Sequence, residues 1–138
     1  MVSKLGDLMT IFEPVEENKA PSKVKKVFDN IKKERKIKTI PNFWKTIAND
    51  PETLERTWNS LKEIMKKGAL DPLTKEMLYI AVSMTNSCEY CIRSHTAAAR
   101  KKGMSDKMLR ELIAVVSMAN ETNRLVESYQ VEVDEFLK

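Results

Sequence analysis

Cysteine and histidine are nearly absent from this 138-residue chain, which has two of the first and one of the second. Two thiols cannot make a disulfide-stapled scaffold, so the fold must rest on buried apolar surface, and the length suits one domain with a respectable core. Glycine and proline are also scarce, at three and five. With abundant Lys, Glu, Leu, Met and Ala, the chain reads as all-α. No run approaches the roughly 20 apolar residues that would cross a bilayer, which excludes a membrane-spanning role. Residues 1–10 lack a continuous apolar core, so no signal peptide is expected and the expected location is cytoplasmic. There, two cysteines three apart point to redox or metal chemistry before structure. Strand-like alternation, internal repeats and low-complexity segments are missing as well.

What charge there is lies unevenly. The net charge is +4, and residues 22–38 hold eight basic residues against Asp29 and Glu34. A basic helix can bind phosphate backbones or anionic membranes. Here Val24, Val27, Phe28 and Ile31 recur at helical spacing and give the segment a buried stripe, which makes the lysines its solvated face. Neither nucleic acid nor membrane is therefore expected as a partner.

The punctuation predicts a series of helices. Residues 1–21, with Pro14 and the acidic Glu13, Glu16 and Glu17, read as an irregular N-terminal arm before a single helical domain over 22–138. Ser22 is the expected cap of the basic helix. A short helix starts at Asn42 and stops at Asn49. Asp50 and Pro51 then open a longer one with the stripe Leu54, Trp58, Leu61, Ile64 and Met65. Asp71 and Pro72 repeat that opening for a helix apolar on nearly every face, as expected for the middle of a bundle. Glu76 stands at the edge of its inward stripe. An acidic residue in a first turn suits the helix dipole, which favours an exposed Glu76 over one held inside. Ser105 caps a further helix, a break is expected near Ala119–Asn120, and Leu125, Tyr129, Val133 and Phe136 mark a last helix. These apolar faces exceed what one small subunit readily hides, so a homo-oligomer is expected.

The rare residues fall together: Cys88-Glu89-Tyr90-Cys91-Ile92-Arg93-Ser94-His95. Asn86 and Glu89 have the spacing of a capping box, which predicts a helix from Ser87. Spacings of three and four put Cys88, Cys91 and His95 on one face. The positive end of a helix favours a thiolate, His95 can exchange a proton with Cys91 one turn below it, and C-x-x-C at a helix start can close to a disulfide with little backbone movement.

Glu76 followed after eleven residues by Cys88-x-x-Cys91-x-x-x-His95 resembles the core motif of the AhpD-like alkylhydroperoxidases, within the carboxymuconolactone decarboxylase superfamily. Leu70-Asp71-Pro72-Leu73-Thr74-Lys75-Glu76, Lys102-Gly103-Met104-Ser105-Asp106, Ile40-Pro41-Asn42-Phe43 and Asp50-Pro51-Glu52 agree with its small peroxidase-related members, and the likeness covers about residues 40–118. The resemblance implies an AhpD-like helical bundle assembled as trimers or hexamers. It implies a peroxidatic Cys91, a resolving Cys88 joined to it in a redox disulfide, and a proton relay of Glu76 and His95. The substrate would be a hydroperoxide or another small molecule, the reductant an external dithiol, with no cofactor and no metal. One departure stands out: the family's well-studied members carry histidine where this chain has Tyr90, and a phenol is a poor general base at neutral pH.

Two other readings compete. One is a lactone decarboxylase or isomerase of the same superfamily, with Glu76 and His95 as acid and base. The other is a partner- or zinc-binding module on Cys88, Cys91, His95 and Glu76, although three ligands from one short segment do not easily surround a metal. A c-type haem is excluded, because the histidine does not directly follow the second cysteine.

Overall fold

The computed structural model describes residues 11–138, so the reading of residues 1–10 lies outside the described residues. These residues are helical, with no strand among them. The chain divides into two compact units, one ending at Ile64 and one running from Met65 to Lys138. No helix among the described residues is long and apolar enough to cross a membrane.

The first unit holds α1 (Ser22–Arg35), α2 (Asn42–Ile47) and all but the last residue of α3 (Pro51–Met65). The stripe of α1 is buried as its spacing predicts, while Lys23, Lys25, Lys26, Lys33, Lys36 and Lys38 are exposed. Ser22 is the first helical residue rather than the cap, a place taken by Pro21 without a side-chain bond. Around α1 gather Ile40, Trp44, Ala48, Leu54 and Trp58. The rings of Trp44 and Trp58 meet edge to face at 5.5 Å, and Trp58 Nε1–H donates to Asn30 Oδ1 at 2.6 Å. The acidic arm is bound to its own unit. Glu17 accepts from the Ile40 backbone at 2.8 Å and pairs with Lys32, Glu16 pairs with Lys45 at 3.0 Å, and Asn49 donates to the Glu13 carbonyl. The Ile40 hydrogen bond and Lys32 hold the Glu17 carboxyl below its ordinary value.

The second unit holds α4 (Pro72–Thr85), α5 (Glu89–Lys101) and α6 (Asp106–Ser128). Both α5 and α6 pack against α4, around Ile80, Ala99, Met104 and Leu112. The Asp-Pro openings of α3 and α4 work alike. Each aspartate accepts from the backbone N–H and the hydroxyl of the threonine three residues on, and those bonds hold both carboxyls below the ordinary value.

Three expectations change in this unit. α4 is not enclosed: Leu78 and Val82 face outward, Val82 with 59% of its surface exposed, on a side that α5 and α6 leave uncovered. α6 does not break at Ala119–Asn120; Asn120 stays helical and its side-chain amide donates to the Val116 carbonyl and the Thr85 hydroxyl. Nor does a helix continue through Val133. Gln130 turns left-handed (φ 50°), Val131 N–H returns to the Val126 carbonyl, and only a short 3-10 turn, Glu135–Leu137, follows.

Candidate active site

The turn between α4 and α5 places the cysteines. Ser87 is left-handed (φ 56°), Ser87 N–H donates to the Met84 carbonyl and Cys88 N–H to the Ser83 carbonyl at 2.9 Å. That pair of bonds is a Schellman closure of α4. The residue that completes it also starts the next helix: Cys88 is the N-cap of α5, its Sγ accepting from Cys91 N–H at 3.3 Å. The helix therefore begins at Glu89 rather than Ser87, and Cys91 lies in its first turn. With the αL residue at Ser87, the capping box expected from Asn86 and Glu89 does not form. Cys88 and Cys91 are joined in a disulfide, their Cα atoms 5.3 Å apart, inside the usual range for such bridges.

One turn after Cys91 comes His95, and its ring reaches across to α4. Nδ1 lies 2.7 Å from Glu76 Oε2, and Glu76 is only 5% exposed. The exposed placement that a first-turn acid suggests is thus overturned. Glu76, Ile80 and Ser83 share the buried face of α4, and the carboxylate is tolerated there because both of its oxygens are bonded. Oε1 accepts from Lys102 Nζ at 2.9 Å. Burial pulls the Glu76 carboxyl upward, but the bonds from His95 and Lys102 and the Lys102 charge outweigh it and hold the group below its ordinary value. An ionised carboxylate only accepts. It follows that Nδ1 of a neutral His95 carries the proton and Nε2 is left as the basic nitrogen. Tyr79 lies flat against the ring, with centroids 3.5 Å apart and planes 19° off parallel.

Of the residues singled out by sequence, Glu76 and His95 meet across two helices, and Cys88 and Cys91 meet at the start of one of them. Tyr90, between the cysteines, is exposed on the first turn of α5. Among the described residues there is no group of three or more His, Cys, Asp or Glu side chains placed to hold a metal ion. Sequence reasoning missed Lys102 and Tyr79. Both carry a spacing signal: Lys102 follows His95 by seven residues, and Tyr79 follows Glu76 by three, so each shares a helix face with a residue already singled out.

The chain is similar to several known proteins. Residues 51–131 match the model of the carboxymuconolactone decarboxylase family. A 72-residue segment, 52% of this chain, is 31% identical to the alkyl hydroperoxide reductase AhpD of Solibacter usitatus (strain Ellin6076), over 39% of that protein. A 56-residue segment, 41% of this chain, is 34% identical to half of a protein of Paracoccus denitrificans described as uncharacterized protein 4 in cox locus. The matches thus span half the length of these relatives or less. The likeness to a solved structure is broader. The alkylhydroperoxidase AhpD core of Rhodospirillum rubrum ATCC 11170 is 46% identical, with a TM-score of 0.89 over 94% of this chain and 98% of that one. The buried Glu76–His95 pair beside a C-x-x-C disulfide thus sits in a fold shared with that core, and the chain belongs to the carboxymuconolactone decarboxylase family, with an AhpD-like helical architecture.

Proposed function

We propose that the chain is a dithiol peroxidase of the alkylhydroperoxidase type, cytoplasmic and homo-oligomeric, as a trimer or hexamer. It reduces a hydroperoxide or a similar small oxidant and is recharged by an external dithiol. The observation that carries the reading is a closed Cys88–Cys91 pair one helical turn from a histidine that is itself bonded to a buried carboxylate.

In the reduced protein His95 Nε2 takes the Cys91 proton. The thiolate attacks the peroxide, an S–O bond forms as the O–O bond breaks, and the departing alkoxide takes the proton back from His95 and leaves as an alcohol. Cys91 is then a sulfenic acid, two electrons more oxidised. The Cys88 thiol displaces its oxygen as water, and the disulfide results. Exchange with the external dithiol restores both thiols and oxidises the donor.

Cys91 is assigned the attacking role because His95 lies one turn from it and two from Cys88. The bond from Cys91 N–H to Cys88 Sγ favours an anion on Cys88 instead. A helix terminus contributes only about 0.3–1 kcal/mol, under one pKa unit, so the reach of the base decides. Stopped-flow peroxide reduction by single mutants tests this. Cys91→Ser abolishes consumption, and Cys88→Ser consumes one equivalent in a burst and stops with a sulfenate on Cys91. A burst retained by Cys91→Ser reverses the roles, and a reduced wild type that consumes no peroxide ends the reading. The Glu76–His95 pair also suits a lactone decarboxylase or isomerase. That activity would survive replacement of both cysteines by serine, which the peroxidase cannot.

A further inference from the structure

Lys102 is the last unexplained member of the cluster. Its ammonium holds Glu76 Oε1 at 2.9 Å while its stem runs to the surface, leaving the side chain 38% exposed. It is the C-cap of α5, and the backbone there is fixed. Gly103 turns at φ 101°, Gly103 N–H donates to the Arg100 carbonyl, and Met104 N–H donates to the Ala99 carbonyl. Other cations of the unit have partners of their own: Arg93 pairs with Glu89, Arg100 with Asp106, and Lys75 donates to the Lys66 carbonyl. What α6 adds to the core around α4 is apolar, namely Met108, Leu109, Leu112 and Val116. The ionisable groups bonded to Glu76 are therefore His95 and Lys102, with Tyr79 stacked on the imidazole.

A buried carboxylate needs one compensating positive charge. If Lys102 supplies it, His95 can rest neutral, with its Nδ1 proton on Glu76 and Nε2 ready to accept. Without Lys102 the charge must be met in one of two ways: His95 becomes an imidazolium, or Glu76 takes up a proton. Either way the site already holds the proton that a cysteine thiol has to surrender. We propose that Lys102 is a positioning residue for the dithiol chemistry, acting through Glu76 to keep His95 a neutral, correctly protonated base. The inference rests on the peroxidase reading for its purpose but not for its test.

The test is the pH profile, from 5 to 9, of Cys91 alkylation by iodoacetamide in fully reduced protein, followed by mass spectrometry. In Lys102→Met, which keeps much of the stem, the profile shifts to higher pH by about one unit or more, so alkylation at pH 6 slows by about tenfold. Lys102→Arg keeps the charge and restores most of the wild-type profile. In a Glu76→Gln background Lys102→Met adds no further shift, since the group through which it acts is gone. Circular dichroism confirms folding, and Lys102→Gln serves if the methionine variant does not fold. A Lys102→Met profile that overlays the wild type overturns the proposal. So does a full shift that persists in the Glu76→Gln background, which would mean a direct effect on the thiol. Because alkylation needs no peroxide, a wild type that reduces no peroxide yet shows these shifts would sink the peroxidase reading and leave Lys102 its role.

Discussion

Between residues 11 and 64 the chain encloses both of its tryptophans, while from Met65 onward it leaves many apolar side chains facing outward. Among the described residues, nine hydrophobic ones are buried in the core of the first unit, Trp44, Trp58 and Phe28 among them, against four in the second. In the second, Leu78 and Val82 lie one turn apart on α4, Val115 and Met118 line α6, and Phe136 is 84% exposed. Yet this less enclosed unit carries the disulfide and the Glu76–His95–Lys102 cluster. Amphipathic spacing says that a helix has an apolar side, and the two units show that it does not say whether the same chain covers that side.

The sharpest break in the comparison comes from cutting the first core. Trp58→Ala removes a ring packed against Trp44 and leaves Asn30 without its donor. It is expected to cost about 3–5 kcal/mol by equilibrium denaturation. Val82→Ala, at an outward position of the second unit, should stay within about 0.5 kcal/mol in a monomer. A similar loss from both would mean that the exposed face is covered after all.

Covering that face is the task assigned above to other copies of the chain. Leu78→Glu together with Val82→Glu puts two charges on it and should move sedimentation toward a 15.9 kDa monomer with helix content unchanged. An assembly that withstands both charges would place the interface elsewhere, and a wild type already monomeric at micromolar concentration would remove oligomerisation from the proposal.

Much of this was legible in the sequence, and what escaped it shares a cause. The Asp-Pro openings at Asp50 and Asp71, the stripe of α1 and the gathering of Cys88, Cys91 and His95 are local signals, carried within a turn or two of chain. Glu76 was legible as a candidate but not as a buried one. Its burial depends on His95 and Lys102, which are 19 and 26 residues away. Two helix ends were also hard to read, because Ser87 and Gln130 adopt the left-handed turn that glycine usually signals. That is why α5 starts later than expected and why no helix extends through Val133.

The buried pair also makes the second unit sensitive to acid. Glu76 has a lowered pKa because its hydrogen bonds and the Lys102 charge outweigh burial. A group depressed on folding stabilises fully above its unfolded value, about 4.3 for glutamate. That contribution fades as pH falls through the lowered, folded value. Urea denaturation of wild type and Glu76→Gln should therefore differ by a constant amount at neutral pH, and the gap should close below the ordinary glutamate value. A gap that persists unchanged to the acid end would mean that the carboxylate charge contributes nothing and only its shape matters.

A more local effect is expected at Gly103, and it tests whether the turn beside Lys102 is set by the backbone alone. At φ 101° a side chain is strained, yet a Cβ there would meet nothing within 4 Å. Steric crowding by neighbours is thus ruled out, and Gly103→Ala should cost only the conformational penalty, about 1–2 kcal/mol. Because Met104 N–H must still return to the Ala99 carbonyl, the turn is expected to hold and Lys102 to keep its reach to Glu76. The alkylation profile of Gly103→Ala should then overlay the wild type even as its urea midpoint falls. A shifted profile at unchanged stability would mean instead that the turn relaxed by moving Lys102, and that the residue after the cap helps to set the base.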